Sequence, residues 1–274
     1  MKFVAKLLLA IFFIPIFLVA IVTGTAKFQL LDVKFWQVTF TKYDVYQSLA
    51  TVLRNNLDDK INSSGGNVSD VKVITDLITS GNLKDLIDKN VVNILGYANG
   101  KAADWNVYVP INKIPRSLLP DNLLGMQDSM PISLLLTKFD VSPGSFDYKG
   151  VSQFGRSVNL LFFGSVFLIL LFTVLLILLT KSGKRFTFLG ITYLISGLLT
   201  IVLYRLIIFA NLSMADGMSQ TTTIGDMIAR ILLPPVIQEA IGVWIWIGIV
   251  VFAAGMIFIF VRKPDFNLKK NLTR

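Results

Sequence analysis

The chain has 274 residues, 54% hydrophobic and 16% charged, with a positive mean hydropathy. Soluble domains carry about 25% charged residues, so much of this chain faces lipid. It has no cysteine and no histidine, which excludes disulfides, thiolate nucleophiles and His-dependent triads and nearly excludes the usual zinc, haem, iron–sulfur and copper sites.

The first apolar run, Leu7–Val22, comes after the basic flank MKFVAK. It is long for the apolar core of a signal peptide and reads as an uncleaved signal anchor. A cleaved leader with Gly24 and Ala26 at −3 and −1 is the alternative. Both readings send the next stretch of chain across the membrane.

Residues 27–156 form the next block, a mainly helical extracytoplasmic domain. In "TKYDVYQSLATVLRNNLDDKI", apolar residues recur at helical spacing, with Thr41 and Asp44 placed as a capping box. "NSSGGNVSD" interrupts the pattern. "NLKDLIDKNVVNILGYANG" predicts a second helix stopped at Gly100. "WNVYVPINKIP" alternates like a short strand, and "SLLLTKFDV" reads as another. The acidic and amide residues around Asp58 and Asn67 lack EF-hand spacing and read as a solvated loop. No P-loop, nucleophile-elbow or SxxK motif stands out.

Three runs then exceed the roughly 20 apolar residues a crossing needs: Leu160–Thr180, Phe186–Ala210 and Val236–Val261. The five residues KSGKR join the first two. Arg205 and Glu239 are the charges well inside these later runs. Both fall near the outer boundary of the bilayer at 1.5 Å per residue, a depth that permits an ion pair between the third and fourth helices. The alternative is that each snorkels to the headgroups. Gly190 and Gly197 are seven apart, as are Gly248 and Gly255, beside a stripe of Thr192, Ser196 and Thr200. Small residues at such spacing let helices approach closely in lipid. Between these runs, "TTTIGDMIARILLPP" predicts a short amphipathic helix near 222–233, stopped by Pro234 and Pro235. It is expected on the outer leaflet or under the external domain, with a fourth element of that domain's core as the alternative.

The net charge of +9 resembles a nucleic-acid footprint until it is placed on the chain. The excess sits in three flanks: Lys2 and Lys6, the KSGKR turn, and the basic tail 264–274 with Arg262 and Lys263 before it. The positive-inside rule puts all three in the cytoplasm, so no nucleic-acid partner is implied.

The expected fold class is therefore an all-α membrane protein: an anchor helix (1–26), the inserted domain (27–156), and a three-helix bundle (157–263). Expected partners are the lipid bilayer and an envelope or membrane protein reached through 27–156. No cofactor is expected. The layout is similar to small permeases of cell-division and lipoprotein-export ABC systems, but the intracellular flanks are too short to grip an ATPase. Claudin-like proteins also place a large outer loop first, but their W-GLW-C-C signature is missing. "FWQVTFTKYDVYQSLATVL", "YANGK" and "RFTFLGITYLISGLLTIVL" resemble segments of uncharacterised prokaryotic four-helix membrane proteins with a helical extracytoplasmic domain after the first helix. That resemblance implies the fold only.

Overall fold

The computed structural model describes residues 2–64, 75–114, 116, 121–138, 148–180, 185–217 and 223–260. The 65–74 loop, the turn at 181–184 and the tail 261–274 lie outside the described residues. Four segments are long and apolar enough to cross a membrane: Val4–Leu30, Lys149–Leu179, Phe186–Ser213 and Ile224–Phe260. A mainly helical region stands between the first and second, so the chain is an all-α, four-span integral membrane protein with an inserted helical domain.

Helix α1 (Lys2–Thr25) runs into a π-helical turn (Ala26–Leu30), in which the Leu31 N–H donates to the Ala26 carbonyl at 2.9 Å. Then come α2 (Val33–Lys42), α3 (Val45–Ser64) and α4 (Ser80–Ala98). Strands β1 (Asn106–Tyr108) and β2 (Ser129–Pro131) pair antiparallel, with Val107 opposite Met130. Helix α5 (Ile132–Lys138) continues directly from β2. Three long helices end the fold: α6 (Tyr148–Leu179), α7 (Arg185–Gly217) and α8 (Ile224–Phe260).

At 1.5 Å per residue these last helices run about 48 to 56 Å, well beyond a hydrocarbon core of about 30 Å. The division into compact units reflects that excess. One holds Met1–Gly24, Leu160–Phe209 and Ile241–Arg274, and the other holds Thr25–Asn159 with Ala210–Ala240. The inserted domain therefore includes 210–240 as well as the stretch between the first two spans.

Three local expectations are corrected. The helix expected to start at Thr41 begins at Val45. Thr41 closes α2 instead, donating to the Gln37 carbonyl at 2.7 Å, and Asp44 breaks the chain at φ +50°. Asp tolerates that left-handed region better than most residues. "SLLLTK" is helical rather than extended, because a continuous run of leucines carries no period and leucine favours helix. The third concerns 222–233. Thr223 caps it as expected, its Oγ1 accepting from the Asp226 N–H at 3.2 Å, but Pro234 and Pro235 do not stop it. They lie inside α8. Two prolines cost the helix two N–H donors. Ile228, Ile231 and Leu232 before them and Val236 beyond pack on one core, which holds the segment in line.

That core gathers Phe40, Val45, Tyr46, Leu49, Ala50, Leu83 and Val236. Trp36, Phe40 and Tyr46 stack edge to face through it at 5.6 and 5.8 Å, an arrangement favoured by the ring quadrupoles. A second cluster joins Ala26, Leu31, Leu95, Ala98 and Val158. The Gly100 stop is a Schellman end: Gly100 has φ +69°, the Lys101 N–H donates to Gly96 at 2.8 Å, and the Gly100 N–H donates to Tyr97 at 3.0 Å. Asn99 beside it donates to the Leu31 carbonyl at 3.0 Å, tying this helix end to the start of the domain.

In the other unit, α7 and α8 meet nearly backbone to backbone. A Cβ on Gly190 would stand 2.6 Å from the Gly255 carbonyl oxygen. One on Gly197 would stand 2.5 Å from the Phe252 nitrogen and 2.7 Å from the Gly248 oxygen. Thr192, Ser196 and Thr200 are buried and donate to the carbonyls four residues back at 3.1, 2.9 and 2.8 Å. Their hydroxyls are thus satisfied within α7, as burial demands. Phe13 of α1 packs on Tyr193 at 5.3 Å, and the Tyr193 hydroxyl meets Thr173 of α6 at 3.1 Å.

Candidate functional site

The chemistry-bearing side chains of the inserted domain gather around α4. The fold places Asp85, Asp88, Lys89 and Asn90 along it, and α2, α3 and the β-hairpin meet them. Asn90 holds β1 as a neighbouring strand would: its Nδ2 donates to the Tyr108 carbonyl at 3.0 Å and its Oδ1 accepts the Tyr108 N–H at 2.9 Å. Lys89 lies over the Tyr108 ring, 4.0 Å from its centroid, and pairs with Asp85 at 3.3 Å. Lys113 approaches Asp85 at 3.8 Å. The Lys89 hydrogen bond, with Lys113 nearby, holds the Asp85 carboxyl below the usual carboxylate range.

One turn away, Tyr46 donates to Asp88, which also accepts from Lys84 at 2.6 Å. Burial, then the bond to Asp88, pushes the Tyr46 phenol well above its ordinary value of 10.0. A raised phenol favours folding fully below pH 10.0, and that contribution is lost as the pH rises through the higher folded value. Tyr46→Phe is expected to cost about 1 kcal/mol at neutral pH and to flatten the alkaline fall in thermal stability. Melting curves of both proteins between pH 8 and 11 check this.

Between α2, α4 and the hairpin lies an open depression of about 370 Å³, lined by Gln37, Asp88, Lys89, Val92, Asn93, Tyr108 and Ser129. Its charges are committed, Asp88 to Tyr46 and Lys84, and Lys89 to Asp85. The side chains of Gln37, Asn93 and Ser129, from three different elements, have no hydrogen-bond partner among the described residues. Convergent, uncommitted polar groups beside an apolar residue and a ring are what a small-ligand site presents. The sequence carried no sign of this. The groups come from positions 37, 93 and 129, and only the α2–α4 and α4–hairpin packing brings them together.

The expected site residues fall elsewhere. Glu239 lies on the part of α8 that belongs to the inserted domain, where Lys42 and Tyr43 bind it. The Tyr43 hydroxyl is 3.0 Å from its carboxylate, and Lys42 forms the ion pair. The bond to Glu239 raises the Lys42 amine above its usual value. Sequence reasoning missed these partners because they lie almost 200 residues away along the chain. Arg205 is on α7 in the membrane unit, and its pairing with Glu239 would join residues of the two units. Double-mutant cycles to Ala should show coupling for Lys42 with Glu239 in detergent-melting stability; additive losses would contradict it. The same cycle with Arg205 tests the interhelical pair. Gly190, Gly197, Gly248 and Gly255 stand at the α7–α8 contact. Of the sequence's Asn-x-Ser/Thr triplets, Asn211 is buried, with its amide on the Pro234 carbonyl at 3.2 Å. Among the described residues, no group of three acidic side chains is placed to hold a metal ion.

The chain matches no family model, no curated protein and no solved structure. The architecture, four spans with a helical region inserted after the first, is consistent with a membrane-protein family, and no comparison points to a specific one.

Proposed function

We propose that this is a non-enzymatic membrane protein that presents its inserted domain outside the cell membrane, with both termini in the cytoplasm, as a binding or scaffolding module. The observation that carries the reading is the depression on α4. Its charges are neutralised within the domain, while Gln37, Asn93 and Ser129 stand uncommitted. Such a surface suits recognition by hydrogen bonding, and it offers no paired acid and base for chemistry.

A second reading, an accessory subunit of a transport or permease complex, is favoured by one feature. Leu160, Phe167 and Leu178 of α6 are exposed by 65% or more of their surface, a face open to lipid or to a partner's helix. Purification from native membranes in mild detergent, with mass spectrometry of the molecules that stay bound, separates the two. A soluble or surface ligand lost from a Gln37→Ala/Asn93→Ala variant supports the binding module. A stoichiometric polytopic partner that this variant retains supports the subunit.

A further inference from the structure

We propose that the inserted domain holds a second binding site, for a zwitterion with an apolar body: a free apolar amino acid or a short apolar peptide. The stretch from Ile111 to Asp128 lines an open cavity of about 900 Å³, a size that suits small ligands. Among the described residues it shares no lining with the depression on α4. Its walls come from the 3-10 turn Ile111–Lys113 and from the chain that follows a second such turn, Asp121–Leu123. Val109 closes the loop at its root, donating to the Asp128 carbonyl at 2.6 Å. Gly125 sits between that second turn and Asp128 at φ +83°, backbone that glycine adopts readily.

Ile111, Ile114, Leu124 and Met126 give the cavity an apolar wall. Among the described residues its charges are one carboxylate and one guanidinium, Asp128 and Arg116. Neither side chain has a hydrogen bond or an ion pair among those residues, with the other or with any third group. For Asp128 this is exceptional. The other half-buried carboxylates of the described residues, Asp85, Asp88, Asp104, Asp226 and Glu239, each accept a hydrogen bond. A half-buried carboxylate without a donor has lost hydration with nothing in exchange, so a cationic donor is what the position lacks. Arg116 on the same cavity suits a carboxylate, which a guanidinium can grip with two parallel hydrogen bonds. One charge of each sign disfavours a ligand that is purely anionic or purely cationic. An ammonium and a carboxylate on one apolar body match both charges and the wall between them.

The test is calorimetric titration of the full protein in nanodiscs at neutral pH, with the tripeptide Ala-Leu-Ala and with free leucine. At least one should bind, and the tighter of the two tells peptide from amino acid. Acetylating the amine or amidating the carboxylate of the ligand that binds removes one charge. Each change should weaken binding roughly tenfold, since a charged hydrogen bond is lost. Asp128→Asn should erase the difference between the free and the acetylated ligand, and Arg116→Gln the difference between the acid and the amide. This crossed pattern is not produced by a variant that merely misfolds. The Gln37→Ala/Asn93→Ala variant should bind as the wild type does. Three results would overturn the proposal: no binding of either ligand at millimolar concentration, blocked ligands that bind as tightly as free ones, or loss of binding in the Gln37→Ala/Asn93→Ala variant. The last would move the ligand to the depression on α4.

Discussion

Gly155→Ala should unfold or loosen the inserted domain, while Gly164→Ala, farther along the same helix, should leave it intact. A Cβ on Gly155 would collide with the Ala98 carbonyl oxygen, and one on Gly164 meets nothing within 4 Å. The oxygen belongs to the last turn of α4, which is fixed by the Schellman end at Gly100 and by Asn99 on Leu31. Neither backbone has room to yield, since Ala98, Leu95 and Val158 share one buried cluster. Forcing a methyl into such a contact costs about 1–3 kcal/mol, against a helix-propensity gain of up to about 1 kcal/mol for the alanine itself. At position 164 only the gain applies. Unfolding of both variants by denaturant, tracked through tryptophan emission, checks the contrast. Equal stabilities would contradict the contact.

The second large effect is expected between the last two helices. Gly197→Leu places a branched side chain where a Cβ alone already stands 2.5 Å from the Phe252 nitrogen. Gly255→Leu does the same against Leu194, whose nitrogen would lie 2.6 Å away. In lipid, helix association rests on close packing rather than on hydrophobic burial, so separating the backbones removes the main attraction. Each substitution should cost about 1–3 kcal/mol or more. The double variant should lose less than the sum, because helices already parted by one leucine have less to lose to a second. Detergent-denaturation midpoints of the two single variants and the double variant measure this. Wild-type stability in either single variant would contradict the close approach.

The membrane architecture was legible because lipid imposes a simple rule: a span is a long apolar run, and four such runs are visible in composition alone. The α7–α8 contact was legible in the spacing of its glycines, since small residues have few other reasons to recur every seven positions in lipid. The helix stop at Gly100 was legible because left-handed backbone selects glycine locally. What failed was non-local. Pro234 and Pro235 signal a helix end in isolation, and only the packing of Ile231 and Val236 on one core overrides them. The leucine run 134–136 has no period by which to choose helix over strand. Lys42 and Tyr43 were not legible as partners of Glu239, because nothing in the sequence shows that the end of α2 folds back on α8. The depression on α4 is of the same kind: its polar groups are ordinary surface residues until three elements bring them together.

The proposed function requires the inserted domain to lie outside the cell membrane. The direct measurement uses two single-cysteine variants of the full chain, Lys101→Cys in the exposed loop after α4 and Arg274→Cys at the end of the tail. Intact cells are treated with a membrane-impermeant maleimide before and after permeabilisation. Labelling of Lys101→Cys in intact cells, with Arg274→Cys reacting only once the membrane is opened, is the predicted result. The reverse pattern would put the domain in the cytoplasm and contradict the reading of the basic flanks.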